Sequence, residues 1–366
     1  MRRIEPFGLL IWAFVGAFLW LFLVIAPGAV LAEAYTDRYD LAPREDRFDL
    51  GVQPLGYPTG VLGAVLRRDR IFRAELGRLG IGFSALPFRR GPDMVPYLGG
   101  GRLEAGLLGD MPTLAAALRE PVWVVGLAKQ TFTSVVSREA AQMAALRGQR
   151  VGYAEGSSAH YALLQGLTSA GLSEKDVELV PMGVDEMPDA LAQGRIAAFA
   201  AWEPAPAVAL ERSVAHRVVF RSPSSDFLVV SRSFEARHPE AVRHLAAALA
   251  RAVAWLRQNN ANLERAVRWT LADGEQLSGR PGGLGMQQAI RIVRRELLDV
   301  PSAPKVPASA EGESPLQGQF RFLQQIGKIP STAAWDRVAG AFAYRGLEEA
   351  LAAPERYRIG VFDYDP

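Results

Sequence analysis

The sequence predicts an α/β fold in which one strand–turn–helix unit occurs twice. Short apolar runs of strand length alternate with helical patterns through most of the chain. The stretch 93–105 also echoes 186–198 in constant register: Met94 matches Met187, Leu98 matches Leu191, Gly101 matches Gly194, Arg102 matches Arg195 and Ala105 matches Ala198. The same register sets Asp110 against Glu203, each with a proline close behind, so two similar lobes should present an acid at the carboxyl end of equivalent strands. A late apolar strand, 226–231, reads as a return from the second unit to the first, which makes the first lobe discontinuous.

The elements follow in order. An apolar strand at 48–52 ends at Gln53, and the loop 54–60 carries Thr59 into a helix at 61–68. A strand at 82–88 precedes a helix that starts at 91–93 and stops at the glycines 99–101. A strand at 102–108 turns at Gly109-Asp110-Met111-Pro112 into a helix reaching 119, and 122–127 is again a strand. Residues 129–136 are read as the crossing to the second lobe, 140–146 as a helix and 149–152 as a strand. Gly156 permits a tight turn, Ser157 or Ser158 caps the next helix, and Gly171 stops it. The apolar strand after Gly194 delivers Trp202 and Glu203 at its carboxyl end. Helices are expected at 239–259, 262–272, 286–298, 316–326 and 332–351, with a glycine-rich loop at 274–285 and a proline-rich segment at 301–315. The tail from 354 has no assigned element.

Composition bounds the function. At 366 residues the chain is long enough for two domains, and its formal charge of +2, spread without runs, does not argue for nucleic acid. The absence of cysteine removes disulfides, thiolate metal sites, cysteine nucleophiles and a lipoprotein anchor. Residues 6–32 carry no charge and follow Arg2 and Arg3; 7–26 is long enough to span a bilayer, and small residues precede position 33. This predicts a hydrophobic signal peptide cleaved after Ala32, or an uncleaved signal anchor, and both place the rest on the extracytoplasmic face.

The candidate chemistry is binding. No metal-ligand spacing, nucleophile elbow or phosphate loop of the common kinds is present. Of the four histidines, His216, His238 and His244 read as surface groups, and His160 alone falls at the candidate site, as a ligand contact or a packed residue of the first helical turn. Free N–H groups after Gly156, with Ser157 and Ser158, favour an anion from one lobe. Gln53 and Thr59 supply polar groups from the other, and Trp202 an apolar wall. Asp110 and Glu203 are either ligand contacts or structural, as a helix cap or an arginine partner, because a carboxylate beside an anion repels it.

The pieces Gly51-Val52-Gln53, Gly109-Asp110-Met111-Pro112, Gly156-Ser157-Ser158-Ala159-His160, Gly171-Leu172 with Asp176-Val177, Asp189–Gly194 and Trp202-Glu203-Pro204 resemble, in order and spacing, the substrate-binding proteins of ABC importers. The similarity is to the nitrate, aliphatic sulfonate and taurine group and covers roughly residues 48–330. It implies a type II periplasmic-binding-protein fold: two α/β lobes, 48–130 with 226–330 and 131–225, after a 1–32 signal or anchor and a 33–47 linker, with 331–366 as a terminal helix and tail. It implies a ligand between the lobes, with Gln53, Thr59, Gly109, Asp110, Gly156, Ser157, Ser158, His160, Trp202 and Glu203 as candidate contacts. It further implies no cofactor and no catalysis, a small-molecule anion as ligand, an ABC permease as membrane partner, and action as a monomer. Related proteins bind pyrimidine precursors of thiamine, and a membrane-anchored ligand sensor is a third reading.

Overall fold

The computed structural model describes residues 35–298 and 315–366. The amino-terminal apolar run and most of the proline-rich segment lie outside the described residues, within which no helix is long and apolar enough to cross a membrane.

From residue 41 onward the chain forms β1 (Arg47–Val52), α1 (Thr59–Arg67), α2 (Arg70–Arg78), β2 (Gly82–Pro87), β3 (Ala105–Gly109), α3 (Asp110–Arg119) and β4 (Val122–Ser137). Next come β5 (Arg150–Tyr153), α4 (Ser158–Ser169), β6 (Glu178–Pro181), α5 (Met187–Ala192), β7 (Ala198–Ala201), α6 (Ala205–Arg212) and β8 (Arg217–Ser231). Helices α7 (Arg232–Arg237), α8 (Pro239–Gln258), α9 (Asn260–Ser278), α10 (Met286–Leu298), α11 (Pro315–Gln325), α12 (Trp335–Ala339) and α13 (Gly346–Ala352) complete it.

The strands join in one sheet of order β2-β1-β3-β8-β4-β7-β5-β6. The order is a palindrome of roles. In one half β1 pairs in parallel with β2 and β3, and β3 pairs antiparallel with β8; in the other, β5 pairs in parallel with β6 and β7, and β7 pairs antiparallel with β4. The echoed segments therefore end in equivalent strands, β3 and β7, both wholly buried and both apolar because neither face meets water. The halves are linked by β4 and β8, which run antiparallel over almost their whole length, with register shifts at Val124/Gly126, Leu127/Lys129 and Val135/Val136. Residues 129–136, expected as a crossing, are thus the second part of one continuous strand.

Buried apolar side chains gather in two clusters. One holds Phe48, Leu50, Leu62, Leu107 and Leu228 with the inner faces of α8, α9 and α10. The other holds Val135, Val151, Leu163, Leu191, Phe199 and Trp202. Helix α8 shows why the first is large: alanines and leucines fill a full face, and at 20 residues it crosses the whole cluster.

Several expectations change. Helix α2 was unassigned; Asp69 caps it by accepting from Phe72 N. The expected helix at 140–146 is only a 3₁₀ turn over Met143–Leu146, and 91–99 is a short 3₁₀ turn followed by further turns. Helix α9 runs past Gly274 to Gly279, which stops it in the left-handed conformation at φ 73°. The last helix splits at Gly340 and Gly346; a Cβ on Gly346 would collide with the hydroxyl end of Tyr344, so a glycine there makes room for that tyrosine. His216 and His244 are buried, not surface groups: His216 Nδ1 pairs with Ala209 O at 2.7 Å, and His244 packs edge-on against Tyr357. The tail is tied to the first cluster through Arg251, which is fully buried: its Nε and Nη2 donate to Asp69 at 3.0 and 2.8 Å and its Nη1 to Tyr357 O at 2.8 Å. Tyr364 pairs with Asp69 as a β-bridge and lies on Trp255.

Candidate functional site

The carboxyl ends of β1 and β3, the start of α4, the end of β7 and the paired strands β4 and β8 meet at one cavity of about 20 Å³. That is room for about one water-sized sphere, so the two halves are closed on each other. Gln53, Gly56, Thr59, Gly109, Lys129, Ser157, Ser158, Trp202, Ser224 and Asp226 are among its walls. The sequence-derived Gln53, Thr59, Gly109, Ser157, Ser158 and Trp202 are thereby brought together; Asp110, Gly156, His160 and Glu203 do not line the cavity.

Small residues let the halves approach. A Cβ on Gly56 would stand 2.7 Å from Trp202 Nε1, and one on Gly109 would stand 2.5 Å from Ser158 Oγ. Beside the first contact, Tyr57 N donates to Glu203 O at 2.8 Å.

Four of the polar wall residues have a traceable proton. Gln53 Nε2 donates to Leu107 O at 2.6 Å. Thr59 Oγ1 donates to Asp226 Oδ2 at 2.5 Å. Ser157 Oγ donates to Ala154 O at 2.6 Å and accepts from Ala159 N and His160 N, which makes it the cap of α4. The Ser158 hydroxyl donates to Asp110.

Asp110, 1% exposed, accepts also from Gln319 Nε2 and Met111 N at 2.8 Å each and from Ser225 N at 3.3 Å. Burial pushes its carboxyl up, and the donors from Ser158, Gln319 and Met111 pull against that rise. It joins α3, α4, β8 and α11 at one point behind the cavity. His160 Nδ1 accepts from Gly156 N at 3.3 Å, and its ring lies 4.7 Å from that of Tyr153. Burial, aided by the Lys328 cation, holds its pKa down to about 4, so it is neutral near pH 7. Glu203 does both structural jobs: Oε2 accepts from Ala207 N at 3.1 Å in the first turn of α6, and Oε1 meets Arg295 Nη2 at 2.9 Å.

Lys129, Ser224 and Asp226 are wall residues that sequence reasoning passed over. Lys129 is 2% exposed, and its Nζ lies 3.8 Å from Asp226 Oδ1, a loose ion pair. Lys129 opposes Asp226, Thr131 opposes Ser224 and Thr133 opposes Ser222 on the paired strands, and all six are buried or nearly so. The signal was present: polar residues at every second position of both segments mark one polar strand face. Among the described residues no group of acids and histidines is placed to hold a metal.

Residues 113–271 match the NMT1-like family model. The chain is 29% identical over 157 residues to a putative aliphatic sulfonates-binding protein of Escherichia coli K12, spanning 41% of this chain and only 49% of that relative. It is 27% identical over 266 residues to the taurine-binding periplasmic protein of the same strain, spanning 67% of this chain and 78% of the relative. Among solved structures, the periplasmic aliphatic sulphonate binding protein SsuA from Escherichia coli superposes with a TM-score of 0.60 at 21% identity, covering 82% of this chain and 98% of that one. The periplasmic nitrate-binding protein NrtA from Synechocystis PCC 6803 does so with a TM-score of 0.65 at 15% identity, covering 86% and 91%. These two show the mixed α/β fold of periplasmic binding proteins. The chain is thus similar in sequence to aliphatic sulfonate- and taurine-binding proteins and in fold to periplasmic binding proteins.

Proposed function

We propose that the chain is the extracytoplasmic solute-binding component of an ABC importer. It takes up a small oxyanion-bearing ligand between two lobes, the first formed around β1–β3 and the second around β5–β7, and delivers it to a membrane permease. The observation that carries this reading is the buried Lys129 at a cavity lined from both halves of the sheet. A cation removed from water needs a counter-charge, and Asp226 at 3.8 Å supplies one only loosely. An oxyanion entering there gains Lys129 as a close counter-charge. A ligand bridging both lobes then favours a closed arrangement in which Gly56 and Trp202 stand further apart than in this structure, where a Cβ on Gly56 would meet Trp202 at 2.7 Å.

Asp226 supports an organic ligand over nitrate. A bare anion meets its carboxylate as repulsion, whereas a taurine-type ligand carries its own ammonium group to pair with it. The sulfonate names of the sequence relatives support the same choice.

A titration of the purified chain with taurine, ethanesulfonate, nitrate and a thiamine-type pyrimidine tests this. At 100 times its dissociation constant a true ligand raises unfolding free energy by about 2.7 kcal/mol. Lys129→Met should abolish that gain for the oxyanions. Stabilisation by the pyrimidine and by none of the oxyanions overturns the reading.

A further inference from the structure

We infer that Ser224 is the hydroxyl that donates to the ligand's oxyanion, in place of the Ser157–Ser158 turn. The inference rests on the oxyanion reading above and names the side chain that executes it.

A serine or threonine hydroxyl has one proton to give. Four hydroxyls line the cavity: Thr59, Ser157, Ser158 and Ser224. Three protons are committed, from Thr59 to Asp226, from Ser157 to Ala154 O and from Ser158 to Asp110. Ser224 is 3% exposed, and its Oγ is buried with no hydrogen-bond partner. Among the described residues it is the one cavity-lining side chain with such an orphaned atom.

A buried hydroxyl left unpaired costs free energy, on the order of 1–3 kcal/mol. A ligand oxygen that accepts its proton recovers that cost, so the residue is silent in the empty protein and active in the loaded one. Its position suits the role. Ser224 opposes Thr131, one same-face step along the strands from the Lys129–Asp226 pair, or about 7 Å. A tetrahedral oxyanion that pairs with Lys129 therefore reaches Ser224 with a second oxygen. Both residues stand on β4 and β8, the two strands that pass between the halves, so the ligand is read at the crossing itself.

Ser224→Ala should lower affinity for ethanesulfonate or taurine about tenfold or more in calorimetric titration, the usual loss for a hydrogen bond to a charged group. It should leave the melting temperature of the ligand-free protein unchanged or slightly higher. Ser224→Cys, similar in size but a weaker donor, should fall between. Ser158→Ala should instead lower the ligand-free melting temperature, because Asp110 loses a donor. Affinity of Ser224→Ala within twofold of the unmodified chain overturns the inference while leaving the oxyanion reading intact. A drop of several degrees in its ligand-free melting temperature also overturns it, since the hydroxyl then has a structural partner. If the unmodified chain binds neither probe and no nitrate, both readings fall.

Discussion

Glu104 and His160 show how burial of single side chains sets the chain's response to pH. Glu104 is 3% exposed, its Oε2 accepts from Asp49 N at 2.8 Å, and burial, with the Asp49 charge adding, lifts its pKa to about 7. The folded protein therefore keeps a proton that the unfolded chain has lost above about pH 4.5. Stability is highest below that point and falls as pH rises through about 7, by on the order of 2–3 kcal/mol. Glu104→Gln should flatten that decline in urea unfolding followed from pH 4.5 to 7.5; an unchanged slope would place its cause elsewhere. His160 acts in the opposite sense. Its folded pKa of about 4 lies below the ordinary value near 6.5, so its share of stability is complete above 6.5 and is lost as pH falls through 4. Asp110 is a third such residue. Asp110→Asn turns an amide donor toward groups that are themselves donors, and should cost roughly 2–4 kcal/mol in chemical denaturation.

At the level of elements, the starts of α1, α3 and α4 and the strands β4 and β8 converge because glycines remove the side chains between them. Gly109→Ala sets a methyl 2.5 Å from Ser158 Oγ. It should push α4 from the end of β3, costing about 1–3 kcal/mol of stability and lowering oxyanion affinity at least tenfold. An unchanged titration would show that the approach of α4 is not needed for binding. Helix α10 reaches from the first cluster to Glu203 through Arg295, whose side chain is 58% exposed. An ion pair so open to water contributes at most about 1 kcal/mol. Arg295→Ala should accordingly weaken apparent affinity no more than about fivefold, through the closed population, and leave the melting temperature nearly unchanged.

For the whole molecule, the sequence carried the echo of one unit in the other but not the strand order, which only the pairing of distant strands shows. The echo of 93–105 in 186–198 leads into equivalent strands, β3 and β7, although the second copy folds as helix α5 and the first only as turns. Periodicity also placed β1, β3, α3, α4 and α8 within a few residues, because strand and helix patterns are local. Short 3₁₀ turns and the broken helices after 332 escaped it, since tyrosine packing and glycine bends there are set by distant contacts. The tail was opaque for the same reason. Its anchor is Arg251, a residue that α8 periodicity alone places in an apolar face. Arg251→Met should loosen both α2 and the tail, and limited proteolysis should then cut near residue 354 faster than in the unmodified chain.

The sequence by itself determined the α/β class, the repeated unit and a part of the cavity wall, namely Gln53, Thr59, Gly109, Ser157, Ser158 and Trp202, because strand ends and helix starts are local features that carry their side chains to one edge of a sheet. Only the tertiary structure decided which of those polar groups are free to act. Thr59 and Asp226, 167 residues apart, share a hydrogen bond, Ser158 gives its proton to Asp110, and Lys129 and Ser224 sit in strands whose polar face points into the cavity. The physical reason is that a proton's commitment depends on the neighbour that burial places beside it, and that neighbour is chosen by folding.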